Sequence, residues 1–246
     1  IDADFTDRAA LWSGGGGNTL PLLDPAHELS QAYGINDAGQ ISGQSYTSGY
    51  DPARAVRWEL DGSVRDLGVL PGYKNSIGWA INNLGWVAGT SAAADVSDPA
   101  KRQHAVLWVV ESNGSIAPPL DLHPVPEIQS IVKGISDVST DGKVYLAGEL
   151  DFNPVVWVFD VESGSIDEQV LTEGSSAGAV NAAGEVVLRN AVWTLATGQV
   201  ASLPTLRGSC SSSGGGINVD GTVVGFSSVK KKGRCTGHAI LWTKNN

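Results

Sequence analysis

The sequence has no methionine, only two cysteines and few basic residues: 16 Lys and Arg against 26 Asp and Glu among 246 residues, a formal net charge of −10. Nucleic-acid-binding proteins carry a broad basic surface, so the acidic balance argues against a nucleic-acid partner. The one basic run, Lys230 to Lys232 with Arg234, is expected to be a solvated loop. No stretch approaches the roughly 18 apolar residues of a membrane span, so no transmembrane segment is expected.

The two cysteines and the missing methionine favour an exported protein. Because the chain starts at Ile1 without a methionine, we expect that a signal peptide has been removed, the alternative being a starting point chosen for expression. Cys210 and Cys235 fit one disulfide in an oxidising compartment, and two buried free thiols are the alternative. The expected location is therefore secreted, either extracellular or periplasmic.

The common catalytic motifs are also missing. The chain contains no nucleophile elbow, no H-E-x-x-H and no P-loop. Carboxylates for glycoside chemistry could come from Asp51, Asp95, Asp98 or Glu127, but the sequence does not place any two of them together. An enzyme is left open, and a non-catalytic role is favoured.

Glycine and tryptophan are abundant, with 31 and 8 residues, and they mark four short segments that recur about every 46 residues. Segment A ends in an Asn, or in Ser136 in the third copy, and covers residues 30–36, 76–82, 130–136, 175–181 and 212–218. After an Asn-x-x-Gly turn, segment B is a short apolar strand. Segment C ends in Trp and covers residues 9–12, 55–58, 105–108, 154–157, 190–193 and 239–242. A glycine turn leads to segment D, and the unit predicts a four-stranded antiparallel meander.

One such sheet cannot bury both of its faces, whereas several packed around an axis can. We therefore predict an all-β fold, a single five-bladed β-propeller over residues 1–246, with six blades as the alternative. The repeats are residues 30–75, 76–129, 130–174, 175–211 and 212–246, and residues 1–29 are expected to help close the ring. Small residues at alternate positions of segment A predict that this strand is innermost.

The stretch 67–91 and the sequence His104-Ala-Val-Leu-Trp108 resemble the HAF repeat of bacterial extracellular proteins, as does His238-Ala-Ile-Leu-Trp242. Val106 and Ile240 stand where the name of the repeat would place Phe. The resemblance is clearest over residues 30–108 and 200–242 and covers nearly the whole chain. It implies export and a repeat fold, without a defined activity.

In a meander, the B–C and D–A loops lie on one face, and here they are long and irregular. Function tends to lie on such loops, so this face is the predicted working surface. Cys210 in a D–A loop and Cys235 in a B–C loop are both expected there, where a bridge would be a structural staple. His27, His104, His123 and His238 map to the same face, and a recurrent polar contact is favoured over a metal cluster.

Segment A supplies the candidate ligand-binding residues at the mouth of this face. One serine begins each copy: Ser30, Ser76, Ser130, Ser175 and Ser212. The alternate residues that follow differ between copies, with Tyr33, Trp79 and Lys133 in the first three, and Gln31 lies beside Tyr33. Serines that cap strand ends and aromatics packed between blades are one interpretation. The other is a shallow pocket with aromatic faces for a sugar or an apolar ligand.

The six Trp residues that end segment C are expected in the core between blades, whereas Trp86 at a hairpin tip is expected to be exposed to a partner. Asp137, Ser139 and Asp141, followed by Gly142, have the spacing of a Ca²⁺ loop but lack its last Glu. A hairpin turn without a cofactor is favoured over Ca²⁺ binding.

The sequence thus predicts a secreted, non-catalytic module that binds a glycan or an extracellular protein at the loop-rich face. A polysaccharide-active hydrolase or lyase and a structural subunit of an extracellular assembly are the alternatives.

Overall fold

The computed structural model describes residues 7–49, 51–93, 103–111, 113–172, 174, 176–231 and 233–244. These residues form 21 β-strands and no helix, which confirms the all-β prediction. Within them, no helix is long and apolar enough to cross a membrane.

The strands form antiparallel meanders in chain order. An N-terminal hairpin contains β1 (Ala10–Ser13) and β2 (Gly16–Thr19). Sheet I contains β3 (Leu29–Ile35), β4 (Ile41–Tyr46), β5 (Ala53–Trp58) and β6 (Val64–Asp66). Sheet II contains β7 (Asn75–Ile81), β8 (Val87–Ala92), β9 (His104–Trp108) and β10 (Leu120–Asp121).

Sheets III to V continue the same order. Sheet III contains β11 (Ser130–Ile135), β12 (Lys143–Leu150), β13 (Asn153–Asp160) and β14 (Ile166–Val170). Sheet IV contains β15 (Ala177–Val180), β16 (Glu185–Leu188), β17 (Ala191–Thr194) and β18 (Gln199–Ser202). Sheet V has three strands, β19 (Ser209–Ile217), β20 (Val223–Lys231) and β21 (Arg234–Trp242).

The turn between the first two strands of a sheet is built by the Asn-x-x-Gly motif. In sheet II, Asn82 Oδ1 accepts hydrogen bonds from the backbone N–H groups of Leu84 and Trp86. Gly85 has a φ of 75°, a conformation that favours glycine. In sheet I, the Asn36 side-chain amide also donates to the Asn82 carbonyl at 3.0 Å. In these sheets the turn motif therefore shapes the hairpin, and Asn36 also joins sheet I to sheet II.

In sheets I and II the second strand carries a glycine where a tryptophan ring covers it. A Cβ at Gly89 would lie 1.9 Å from the Ile77 carbonyl oxygen and 2.8 Å from the ring of Trp108. Gly43 is equally crowded, with the Gln31 carbonyl oxygen at 2.0 Å and the ring of Trp58 at 2.7 Å. The Gly of the second strand and the Trp of the third are thus one packing unit.

The chain divides into two compact units, Ile1–Ile131 and Val132–Asn246. In the first unit, Trp58 and Val56 of sheet I pack with Leu11 of the hairpin, and Trp108 of sheet II packs with Ala55 and Leu67 of sheet I.

In the second unit, Trp193 of sheet IV packs with Val156 of sheet III, and Val223 of sheet V packs with Val187 of sheet IV. The core of each unit therefore consists of successive joints between adjacent sheets.

Two tryptophans contradict their predictions. Trp58, Trp108, Trp157 and Trp193 are buried as expected and Trp242 is half-buried, but Trp12 is 76% exposed. Conversely Trp86, which was expected to be exposed to a partner, is only 6% exposed, and its Nε1 donates to the carbonyl of Val110, two residues after β9. The prediction of an exposed partner contact at Trp86 is wrong.

The predicted disulfide between Cys210 and Cys235 is present, with a Cα–Cα distance of 6.3 Å. Both residues lie in strands, β19 and β21, rather than in the loops where they were expected. The reason is that the strands of sheet V are nine residues long and extend beyond the repeat pattern. The disulfide joins the two outer strands of one sheet.

Candidate functional site

An aromatic pair lies on the first strands of sheets I and II, where the sequence predicts a ligand site. Tyr33 on β3 and Trp79 on β7 have ring centroids 4.6 Å apart and planes tilted by 45°. Tyr33 is 39% exposed, and Trp79 is half-buried. Two of the predicted residues are therefore brought together, with one ring open to solvent.

Polar side chains fix the orientation of both rings. The Tyr33 hydroxyl donates to Gln31 Oε1, and Gln44 Nε2 lies 2.9 Å from both Gln31 Oε1 and the Tyr33 hydroxyl. Trp79 Nε1 donates to Thr90 Oγ1 at 3.1 Å. Since these partners lie on regular strands, the rings are held by the scaffold and not by a mobile loop.

A cavity of about 170 Å³ opens beside the pair and shares its polar partners. Its wall is largely apolar and is formed by Gln44, Ala53, Asn75, Ser76, Ile77, Thr90, Ala92 and Gln103. Gln44 and Thr90 belong both to this wall and to the hydrogen bonds of Tyr33 and Trp79. The aromatic pair and the cavity are consequently parts of one site.

One oxygen in this site has no partner in the part of the chain that the structure describes. Gln44 is 3% exposed, and its Oε1 atom is buried without a hydrogen bond, while its Nε2 atom is doubly bonded. A buried carbonyl oxygen without a donor is unfavourable by about 1–3 kcal/mol. A ligand hydroxyl or amide that reached it would remove this deficit.

The predicted serines have a different environment from the aromatic pair. Ser30, Ser76 and Ser130 are at most 1% exposed. Their hydroxyls accept hydrogen bonds from the backbone N–H groups of three alanines of the preceding copy: Ala9 just before β1, Ala55 in β5 and Ala105 in β9. The geometry gives these three serines a structural role, and they are not accessible to a ligand.

The remaining predicted residues do not lie at the pair. Lys133 belongs to the second unit, where its Nζ lies 2.6 Å from Glu149 Oε1 and 3.3 Å from Ser176 Oγ. Burial would raise the pKa of Glu149, but the hydrogen bonds from Lys133 and Ser176 outweigh it and lower that pKa. Ser212 is half-buried opposite Ser227 on sheet V, and Ser175 lies outside the described residues.

The equivalent position between sheets IV and V shows what the aromatic rings contribute. There the cavity is larger, about 300 Å³, and is lined by Ser176, Gly178, Val187, Leu188, Arg189, Ser213 and Gly214. Gly178 stands where sheets I and II carry Tyr33 and Trp79. This cavity is open because no ring fills it, and no aromatic surface is offered to a ligand.

Sheet II contains a His–Asp pair whose side chains are within hydrogen-bond distance, as in catalytic dyads. His104 Nδ1 lies 2.8 Å from Asp121 Oδ2, and His104 Nε2 is buried without a partner among the described residues. Burial, together with the charge of Asp121, raises the pKa of the neighbouring Tyr73.

Sheet I shows that this pair belongs to the repeat. Arg54 lies 2.8 Å from Asp66 at the same position, and both aspartates accept a backbone hydrogen bond two residues further on, from Gly68 and His123. The pair is therefore a recurrent polar contact, as the sequence suggested. His27 contacts Ser45 at 2.9 Å instead of another histidine.

The oxygens of the Asp137–Asp141 turn are used within the turn. Ser139 Oγ lies 2.5 Å from Asp141 Oδ1 and accepts a hydrogen bond from the backbone N–H of Lys143. This bond from Ser139 is the main cause of the lowered pKa of Asp141. Among the described residues, no group of three or more His, Cys, Asp or Glu could hold a metal ion.

Of the carboxylates considered for glycoside chemistry, Asp51 is paired with Lys74 at 2.8 Å. Glu127 is exposed, and Asp95 and Asp98 lie outside the described residues.

Sequence reasoning missed Gln44 and Thr90. Both lie on the second strand of their sheet, at the position where sheet V has Phe226. Gln44 is directly opposite Gln31, and Thr90 is directly opposite Ile77. The second strands carry a signal of the same kind as the first strands, because this position also varies between the repeats.

No family model matches the chain, and no curated protein is significantly similar to it. Among solved structures it is similar to a puromycin hydrolase with a TM-score of 0.59 at 13% identity, over 94% of this chain and 38% of that chain. It is also similar to virginiamycin B lyase from Staphylococcus aureus, with a TM-score of 0.50 at 13% identity, over 92% and 74%.

A luciferin-regenerating enzyme gives a TM-score of 0.50 at 14% identity, over 94% of this chain and 81% of that chain. The chain spans only about 38% of the puromycin hydrolase. At these identities the similarity concerns the fold alone. Together with the successive antiparallel sheets, it shows that the chain has an all-β, propeller-like fold.

Proposed function

We propose that this protein is a secreted, non-catalytic module that binds a neutral glycan at Tyr33 and Trp79. The observation that carries the proposal is the aromatic pair itself, one ring of which is 39% exposed while both are held by strand residues. Sugar rings present apolar C–H faces that pack on aromatic rings, with hydroxyls at their edges for hydrogen bonds. Tyr33 and Trp79 supply the aromatic surface on which a sugar ring can pack.

The polar groups at the pair favour a sugar without charge. Gln31, Gln44 and Thr90 provide amides and a hydroxyl, and Gln44 Oε1 still lacks a donor among the described residues. Sugar hydroxyls are suitable donors to such an oxygen. The cavity of about 170 Å³ is smaller than the roughly 300 Å³ at which drug-sized pockets begin, so it has room for about one sugar ring.

An extracellular protein remains the other predicted partner of this face. A short polar peptide segment of such a protein, with one apolar side chain, could contact the same aromatic rings and hydrogen-bonding groups. The small size of the cavity favours the glycan, because a protein partner requires a broader surface of about 800 Å² on each side.

A polysaccharide-active enzyme is the second candidate. The similar structures are named as a hydrolase, a lyase and a regenerating enzyme, and His104 has a free Nε2 among the described residues. However, His104 is 2% exposed, and its contact with Asp121 repeats that of Arg54 with Asp66. A substrate could not reach this imidazole without a rearrangement, so binding without turnover is the better supported function.

The scaffold of the proposed module is propeller-like, and its closure into one five-bladed ring stays a prediction from the repeats. The Cys210–Cys235 disulfide supports the proposed export, because disulfides persist in oxidising compartments.

The test is a glycan array of neutral and acidic oligosaccharides, followed by titration calorimetry with the best ligand. We expect binding to a neutral glycan, weakened at least about fivefold by Trp79→Ala or Tyr33→Ala, the usual size of one lost aromatic contact. Phe152→Ala is the matched control, because Phe152 is an aromatic residue that is 71% exposed and lies in the other unit.

The same samples are incubated with the bound oligosaccharide and analysed for cleaved products. Turnover that is lost in His104→Ala and kept in Trp79→Ala would replace the proposal with the enzyme. Binding that is equally strong in the Trp79 and Tyr33 variants would remove the aromatic pair from the site.

A further inference from the structure

The cavity beside Tyr33 and Trp79 lies within the first unit, and none of the described residues in its wall is charged. Its lining consists of alanines, one isoleucine and uncharged polar residues: Gln44, Ala53, Asn75, Ser76, Ile77, Thr90, Ala92 and Gln103. A carboxylate or an ammonium group that entered would lose its hydration without meeting an opposite charge, which is strongly unfavourable. The wall therefore favours an uncharged chemical group.

Gln44 presents an acceptor without a donor to this cavity. Its Nε2 atom is occupied by Gln31 and Tyr33, and its Oε1 atom has no hydrogen bond among the described residues. Because Gln44 is 3% exposed, bulk water does not satisfy this oxygen. An N–H or O–H group that enters with a ligand is the partner it lacks.

Thr90 presents the opposite, a donor without an acceptor. It is also 3% exposed, and its Oγ1 atom accepts the hydrogen bond from Trp79 Nε1. A threonine hydroxyl has one hydrogen to donate as well, and no described residue accepts it. Thr90 and Gln44 hold equivalent positions on the second strands of sheets II and I, so the cavity has one unused acceptor and one unused donor in its wall.

A secondary amide carries both missing partners in one small group, since its N–H donates and its carbonyl oxygen accepts. A sugar hydroxyl could also donate and accept, but it would leave the apolar part of the wall, Ala53, Ile77 and Ala92, without a contact. An acetamido group adds a methyl that can pack there, and burial of a methyl favours binding. The combination of polar and apolar wall thus matches an acetamido group better than a hydroxyl.

The position of the cavity relative to the rings fits the same group on a sugar. An equatorial substituent extends close to the mean plane of a pyranose ring. A sugar that packs flat on an aromatic ring therefore directs this substituent past the edge of that ring. Thr90 binds the indole of Trp79 and also borders the cavity, so the edge of this ring and the cavity adjoin each other.

We propose that the site selects a sugar with an acetamido group, of the N-acetylglucosamine type; this inference rests on the proposed glycan binding. The amide N–H donates to Gln44 Oε1, the amide carbonyl accepts from the Thr90 hydroxyl, and the methyl packs on the apolar wall. Gln44 and Thr90 are then specificity-determining residues, whereas the aromatic pair binds the face of the sugar whatever its substituent.

The experiment is titration calorimetry with two trisaccharides that share a β-1,4-linked backbone. One is the trimer of N-acetylglucosamine, and the other is the trimer of glucose, which has a hydroxyl in place of each acetamido group. We expect the unchanged protein to bind the first at least about tenfold more tightly. Gln44→Leu and Thr90→Val each remove one hydrogen-bonding group, and each should reduce this preference at least about fivefold. Trp79→Ala should weaken both trisaccharides and leave the preference in place.

Ala92→Leu tests the apolar wall without removing a hydrogen-bonding side chain. The larger side chain occupies the space assigned to the methyl, so it should weaken the N-acetylglucosamine trimer and leave the glucose trimer unchanged. Ala38→Leu is the matched control, because Ala38 is exposed in the turn between β3 and β4 and does not line the cavity. Circular dichroism checks that each variant is folded.

Equal affinities for the two trisaccharides, both weakened by Trp79→Ala, would overturn this inference and leave the proposed glycan binding intact. Binding of neither trisaccharide would also overturn it, and the other neutral glycans of the array then decide on the proposed function. A preference that survives Gln44→Leu, Thr90→Val and Ala92→Leu would place the recognition of the acetamido group elsewhere. Tighter binding of acetyl-triglycine amide, which offers the same amide and methyl without a sugar ring, would replace the inference with a protein partner.

Discussion

The hydroxyl of Ser76 accepts a hydrogen bond from the backbone N–H of Ala55 at 2.9 Å and donates to the Gly68 carbonyl at the same distance. Ser76 belongs to sheet II, and both of its partners belong to sheet I or the segment that follows it. The serine is 1% exposed, so no water replaces it when the side chain is changed.

Ser76→Ala should therefore destabilise the protein by about 1–3 kcal/mol, since a buried N–H group loses its acceptor. Urea unfolding followed by circular dichroism measures the change. Ser212→Ala is the matched control, because Ser212 holds the same repeat position in sheet V but is half-buried, and a small effect is expected there. Equal losses in both variants would show that the bond to Ala55 is not the cause.

Gly89→Ala should be more severe. The added Cβ would lie 1.9 Å from the Ile77 carbonyl oxygen and 2.8 Å from Trp108, so either the backbone or the buried indole must move. We expect a loss of about 3 kcal/mol or more in the free energy of unfolding, the upper range for overpacking. Gly237→Ala is the control because nothing lies within 4 Å of its added Cβ. A Gly89 variant as stable as that control would contradict the packing of Gly89 under Trp108.

Reduction of the Cys210–Cys235 disulfide should destabilise sheet V. The bridge closes a loop of 25 residues, which corresponds to about 3 kcal/mol in the chain-entropy estimate. The double variant Cys210→Ser, Cys235→Ser, compared with the oxidised protein by urea unfolding, measures it. The reductant should have no effect on the double variant, and a loss there would point to a cause other than the disulfide.

Acid should weaken the pair formed by Lys133 and Glu149. The pKa of Glu149 is lowered in the folded protein, so the pair stabilises the fold above the ordinary pKa of a glutamate, about 4.3, and this contribution disappears as the pH falls through the lowered value. Solvent reaches Lys133, so the effect is no more than about 1 kcal/mol.

Unfolding midpoints measured from neutral pH down to about pH 2 should fall more steeply for the unchanged protein than for Glu149→Gln. Equal slopes would contradict the lowered pKa.

The repeat pattern was enough to predict most strands and their order. The sequence of short apolar segments, Asn-x-x-Gly turns and Trp-ending strands corresponds to the sheets observed, because each signal is local and recurs. Tyr33 and Trp79 were recognised as candidate ligand residues because they break the repeat. Where equivalent positions of the repeat carry different side chains, packing of the fold does not determine the residue, and a role in binding becomes the better explanation.

What the pattern could not predict depends on contacts between distant residues. Trp86 is buried because its indole reaches the Val110 carbonyl, 24 residues away, and nothing near Trp86 indicates this. Trp12 has the same local sequence as the buried tryptophans and is exposed, because its burial depends on a neighbouring sheet. The sequence predicted that the serines form a ligand-binding ring. Their actual role, accepting hydrogen bonds from the N–H groups of alanines in the preceding copy, depends on how adjacent sheets pack, and the sequence does not show this packing.

The bond from Asn36 to the Asn82 carbonyl has an evolutionary consequence. Its donor and its acceptor are the same residue of the motif in successive copies, as are Asn181 and Asn218. A duplicated or deleted repeat would therefore arrive with its own connector and would leave the remaining connectors unchanged. In such a protein the number of repeats can change in a single genetic event, because the acceptor is a backbone carbonyl that the next copy supplies whatever its side chain.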